Sequence, residues 1–199
     1  MLPVARLKQL SAVVALAVTL PASAGVVDFD GTGAPEVFAD TVALSAHYAS
    51  LGLTFAGIGG SGGYILNQGA ELGFMARSGT DFLAFNVEAG TGGEERISFA
   101  SAQDTVSVHA ATYEDGTFTM TAFDAAGTVL GFASLVASRD WQALTFNHAG
   151  IRSVVVTSTA GGWALDDLSF NASAVVPEPG SLALLGAGLL GLAALRRKY

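Results

Sequence analysis

Between Gly25 and Val176 apolar and polar residues alternate with a period near two, and no long stretch carries a helical period. That pattern specifies half-buried strands. In Thr105–Tyr113, Val106, Val108 and Ala110 fall on one face while Ser107 and His109 fall on the other. Thr117–Phe123 places Phe118, Met120 and Ala122 opposite three threonines. Asp124-Ala125-Ala126-Gly127 supplies turn chemistry, and Thr128–Ala137 returns as the partner strand of a hairpin. Further strands are expected at Val26–Phe29, Leu51–Phe55, Phe82–Val87, Arg96–Ala100, Gln142–Phe146, Ile151–Thr157 and Trp163–Phe170. Some ten short strands separated by Gly, Asp and Asn predict an all-β fold, an antiparallel two-sheet β-sandwich with a jelly roll as the preferred version.

The two ends follow different patterns. Arg6 and Lys8 precede an apolar run, Leu10–Leu20, and the small residues Ala22-Ser23-Ala24, the layout of a signal peptide cut by signal peptidase before Gly25. At the other end Val176-Pro177-Glu178-Pro179 leads into an uncharged run to Leu195 and then Arg196, Arg197 and Lys198. Gly180–Leu195 would span about 24 Å as a helix against about 30 Å of bilayer hydrocarbon, short for a permanent anchor. The basic cluster is an orientation signal that keeps the terminus cytoplasmic and the residues before Pro177 outside. Pro177 and Pro179 bar a helix from running into the span, so the peptide around Glu178 is expected to be extended and open to a protease. Three segments result: residues 1–24, a signal peptide; 25–174, the β-sandwich; and 175–199, a sorting segment with a short transmembrane helix.

This tail resembles the PEP-CTERM sorting domain of Gram-negative bacteria, with Val176–Pro179 as the sorting motif, an apolar span and a basic end. The resemblance implies transient residence in the inner membrane, processing by an exosortase-type enzyme, and export to the cell surface or extracellular space with exopolysaccharide or biofilm matrix.

Charge and cysteine content narrow the classes. Residues 25–176 hold 16 acids and four arginines (Arg77, Arg96, Arg139, Arg152) and no lysine, a net charge of −12 with neutral histidines. A nucleic-acid partner is excluded, because phosphate binding needs a cationic surface. With no cysteine in the chain, an exported domain must rely on packing or a metal.

The closing segment, Gly150-Ile151 with the valine run and then Trp163–Phe170, resembles the last strands of galactose-binding-like jelly rolls. Such domains often carry structural calcium, and the resemblance implies it here. Asp28 and Asp30 at one chain end would meet Asp166 or Asp167 at the other if the first and last strands are neighbours. Asp166 is expected to share a face with Ala164, Leu168 and Phe170, where an ionised carboxylate needs either a cation or backbone amides.

Two short enzyme motifs carry little. Gly57–Gly62 satisfies GxGxxG and Gly59–Gly63 satisfies GxSxG, but both chemistries require a helix after the loop, and Gly62, Gly63 and Gly69 interrupt one. His47, His109 and His148 make no metal-ligand spacing. Tyr113, Trp141 and Trp163 are the candidates for stacking on sugar rings, with core packing as the alternative for each tryptophan. The expected function is that of a non-enzymatic surface or matrix protein binding exopolysaccharide. The alternatives are a structural matrix protein without a sugar site and, third, a secreted hydrolase.

Overall fold

The structure, a computed structural model, describes residues 24–36, 42–58, 62–68, 73, 75–86 and 93–171. The signal-peptide residues before Ala24, the motif Val176, Pro177, Glu178 and Pro179, and the cluster Arg196, Arg197 and Lys198 lie outside these residues. Among the described residues no helix is long and apolar enough to cross a membrane.

Among the described residues ten strands form in chain order: β1 Ala24–Val27, β2 Val42–Ala43, β3 Leu53–Ile58, β4 Tyr64–Asn67, β5 Asp81–Asn86, β6 Glu94–Thr112, β7 Gly116–Phe123, β8 Val129–Ala137, β9 Gln142–Ser158 and β10 Gly162–Asn171. Every pairing is antiparallel. One sheet runs β2-β4-β5-β10 and continues through the C-terminal half of β6 to the N-terminal half of β9, with β1 beside β10 beyond the end of β5. The other runs β3, the N-terminal half of β6, the C-terminal half of β9, β7 and β8. The expected antiparallel two-sheet sandwich therefore forms.

Two long strands belong to both sheets. Sequence patterning separates Arg96–Ala100 from Thr105–Tyr113, and Gln142–Phe146 from Ile151–Thr157, because polar residues and Gly150 stand between them. The backbone instead continues through each gap with a bend, and the β6–β9 register shifts between Ser98 and Thr105. Gln103 is buried at this corner and donates to Ser101 through its backbone and hydroxyl oxygens, both at 3.0 Å. Bulges of this kind re-aim a strand at a sandwich corner.

The core fills the space between the sheets. Val106, Val108 and Ala110 of β6 and Trp163, Leu165, Leu168 and Phe170 of β10 meet Phe118 and Met120 of β7 and Val154 and Val156 of β9. Burial of each large apolar side chain contributes about 1.5–3 kcal/mol. The β7–β8 hairpin forms as patterned: Asp124 Oδ1 accepts Ala126 N and Thr128 N, each at 2.8 Å, and Gly127 N donates to Asp124 O at 3.1 Å.

Candidate functional site

The last strand carries an irregularity that decides where its acids point. β10 pairs β6 with Asp166 opposite His109, and the register shifts between Asp166 and Ser169, where Asp167 takes φ +47°. Trp163 and Leu165 face the main core before this bulge, and Leu168 and Phe170 face it after. Ala164 packs on the opposite side of the sheet with Leu66, Phe82 and Ala84. Asp166 therefore lies on the side of Ala164, and the expectation that it shares a face with Leu168 and Phe170 is corrected by the inserted residue, which resets the alternation.

Asp166 is fully buried and is met by amides. Its Oδ2 accepts Arg77 N at 2.8 Å and Ser78 N at 3.2 Å, and its Oδ1 accepts Asp167 N at 2.7 Å. Burial pushes its carboxyl up to about 7, and those three amides pull against that rise. Asp167 turns the other way, pairing with the Arg77 guanidinium and accepting the Ser78 hydroxyl at 2.8 Å. His109 has a buried Nδ1 without a hydrogen-bond partner, and burial followed by the Arg77 charge lowers its pKa.

The opposite chain end holds the same loop. Asp30 Oδ1 accepts Thr80 N at 2.7 Å and Asp81 N at 2.9 Å, and its carboxylate lies where a Cβ on Gly79 would stand. Asp28 Oδ1 accepts Asp30 N at 3.2 Å, and buried Asp81 accepts Thr32 Oγ1, Asn67 Nδ2 and Thr80 Oγ1. Near them the Tyr48 hydroxyl is buried without a partner, and its pKa is raised by burial and by the charges of Asp28, Asp81, Asp30 and Asp166. Pairing of β1 with β10 thus brings Asp28, Asp30 and Asp166 to one neighbourhood, joined by Asp81, while Asp167 is committed to Arg77. Among the described residues no three His, Asp or Glu side chains are grouped so as to hold a metal ion.

The same loop reaches an aromatic patch at the far ends of β6 and β10. Trp141 donates Nε1–H to Met75 O at 2.8 Å and sets its ring against Phe82 at 6.2 Å between centroids. Tyr113 is 50% exposed and Met75 61% exposed. Arg139 lies 4.8 Å from the centre of the Tyr113 ring and donates Nε–H to the Tyr113 carbonyl at 3.1 Å. Trp163 is corrected from the sugar-binding set: it is fully buried, stacked on Phe85 at 3.5 Å and edge-on to Phe118 at 5.2 Å. No ligand can reach that ring.

His47 and His148 are exposed and pack on different rings, His47 on Tyr48 and His148 on Phe146. After the glycine-rich loop, Gly62 and Gly63 lead directly into β4, so neither the dinucleotide nor the nucleophile-elbow motif has its helix. Sequence reasoning overlooked Arg77, which the fold brings to Asp167, Arg139, which it brings to Tyr113, and Glu95, which is 1% exposed. The signal for Glu95 was present, since it alternates with Ile97 and Phe99 on the core side of β6.

Residues 175–198 match the PEP-CTERM protein-sorting motif. The chain carries this motif. No curated protein matches the chain. Among solved structures it is similar to the K1 cleaved adhesin domain of Lys-gingipain from Porphyromonas gingivalis W83, at 11% identity and a TM-score of 0.47 over 75% of this chain and 98% of that one. It is also similar to TmCBM61, solved in complex with beta-1,4-galactotriose, at 11% identity and a TM-score of 0.41 over 59% of this chain and 86% of that one. The CBM22-1 xylan-binding domain from Paenibacillus barcinonensis is similar at 12% identity and a TM-score of 0.36, over 58% and 83% of the two chains.

Proposed function

We propose that this is an exported, exosortase-processed protein of the cell surface or matrix whose sandwich binds exopolysaccharide without catalysing a reaction. The sorting motif at residues 175–198 supports export. The glycan reading rests on the patch in which Tyr113 and Met75 are exposed beside Arg139 and Trp141. Aromatic and arginine side chains held by a rigid strand end supply apolar area and hydrogen bonds at low entropic cost, the combination a sugar ring requires. Binding of the purified chain to the producer's exopolysaccharide is expected to be saturable and to weaken at least about tenfold in Tyr113→Ala and in Arg139→Ala. Equal binding by both variants would remove the patch from the proposal, and no binding by the parent chain would leave a structural matrix protein.

Calcium is part of the same proposal. Asp28, Asp30, Asp81 and Asp166 lie near one phenol, Tyr48, whose pKa their charges raise, so a cation bound here would draw together acids that are not grouped as ligands without it. Asp167, paired with Arg77, is outside that set. Calcium is expected to raise the melting temperature by a few degrees over chelator, as about 1 kcal/mol of linked binding would. An unchanged melting curve in saturating calcium would leave the amides, hydroxyls and Asn67 already bonded to these acids as what holds them.

A further inference from the structure

A second site lies at the open edge of the sandwich between β3 and the approach to β4. A cavity of about 150 Å³ is lined by Leu44, Ser45, Phe55, Ala56, the glycines 57, 62 and 63, and Glu95. That is room for several waters or one small ligand. Glu95 points inward from β6, 1% exposed, with Oε2 accepting Gly63 N at 2.7 Å. Its Oε1 is buried and has no hydrogen-bond partner. The site is built around that carboxylate: a Cβ on Gly62 would strike Oε2 and come within 2.9 Å of Gly57 N.

Ser45 at the cavity's exposed side holds φ +42°, a conformation that non-glycine residues rarely keep. It is fixed there by Ala46 N donating to its hydroxyl at 2.6 Å and Phe55 N donating to its carbonyl at 2.8 Å.

We propose that this cavity binds a primary ammonium group, with Glu95 Oε1 as its hydrogen-bonding counter-charge. A buried, unpartnered carboxylate oxygen requires a donor, and among the described residues no cationic side chain lines the cavity to supply one. Leu44, Phe55 and Ala56 suit the carbon stem that carries such a group. The acid-rich body, net −12 over residues 25–176, draws cations towards any of its openings. A divalent metal ion would need several more oxygen ligands than one glutamate offers. The site stands independently of the aromatic patch and of calcium.

Burial is the first cause that pushes the Glu95 carboxyl up to about 7, against the pull of the Gly63 and Ala56 backbone, and no charged group among the described residues contributes to the shift. Arg96, the next residue, faces away over the Phe123 ring and towards Ser153. Ammonium binding therefore strengthens with pH as Glu95 ionises, by about tenfold between about pH 6 and about pH 8.

The probes are n-butylamine, glucosamine and N-acetylglucosamine, titrated into the purified full chain by NMR or calorimetry. Both amines are expected to bind and the N-acetylated sugar to bind at least about tenfold more weakly. n-Butylamine, charged throughout the range, is expected to show the pH dependence. Glu95→Gln, with a retained melting transition, is expected to lose at least about tenfold in affinity for n-butylamine. Binding of n-butylamine but not glucosamine would support the site and assign it an alkylammonium, such as a lysine side chain, over an amino sugar. Equal binding of glucosamine and N-acetylglucosamine would overturn the proposal in favour of a neutral polyol. Absence of binding by both amines would overturn it in favour of water alone. If the glutamine variant does not fold, the parent's pH profile decides, and pH-independent n-butylamine binding overturns the proposal.

Discussion

Replacing Trp163 by alanine is expected to destabilise the sandwich by about 3–5 kcal/mol, the range for removing a fully buried large aromatic side chain. Trp163 has no exposed surface, stacks within 5° of parallel on Phe85 and meets Phe118 edge-on across the core. It is thus one of the side chains that join the two sheets. Its indole N–H has no partner, so part of what it gains by packing is offset by an unsatisfied buried donor. Trp163→Phe keeps most of the ring contact and removes that donor, and it is expected to cost less than half as much. Denaturant unfolding of the two variants checks both figures. A loss below about 1 kcal/mol in the alanine variant would mean that the ring is not the cross-core contact described.

The second large effect is a loss of stability as pH rises. Glu95 and Asp166 are both buried, and burial pushes each carboxyl up to about 7 from 4.5 and 3.8. Between about pH 4 and pH 7 the native state holds protons that the unfolded chain has released, so stability falls across that window. Below it the protonated groups are accommodated, and above it two buried charges remain. At about 1.4 kcal/mol per pH unit each group accounts for roughly 3–4 kcal/mol as an upper limit. Urea unfolding in chelator is expected to give lower stability at about pH 8 than at about pH 5, with the slope reduced in Glu95→Gln. Stability that rises over the same interval would overturn the assignment of these two carboxyls.

Most strands were legible because period-two alternation reports a half-buried face wherever one sheet covers another. The hairpin of β7 and β8 was legible down to its turn, since Asp124 and Gly127 do locally what their residue types suggest. Continuity of β6 and β9 was not. Ser101–Asp104 and His148–Gly150 have loop composition, and only the opposing strand keeps them extended through the bend. Strands β2 and β4, of two and four residues, are too short to show a period. The acid neighbourhood was partly legible, because adjacent first and last strands place Asp28, Asp30 and Asp166 together. The bulge that redirects Asp166 left no mark in the sequence, and neither did the role of Asp81, which depends on where the 75–81 loop docks. Glu95 was legible and overlooked: an acid in phase with Ile97 and Phe99 faces inward whatever its charge prefers.

Ala24 of β1 and Asn171 of β10 stand opposite one another, and Thr105 of β6 pairs with Asn171 on the other flank. Tyr113 lies at the other end of that ladder, bonded to Gly162. The length of β10, about 33 Å at roughly 3.3 Å per residue, separates them. A pull between Ala24 and Asn171 peels the β1–β10 rungs one after another. A pull between Asn171 and Tyr113 runs along β10 and β6 instead and loads their rungs together in shear. The sandwich is therefore weak against force applied between its two chain ends, and strong along the line from the end of β10 to the Tyr113 patch.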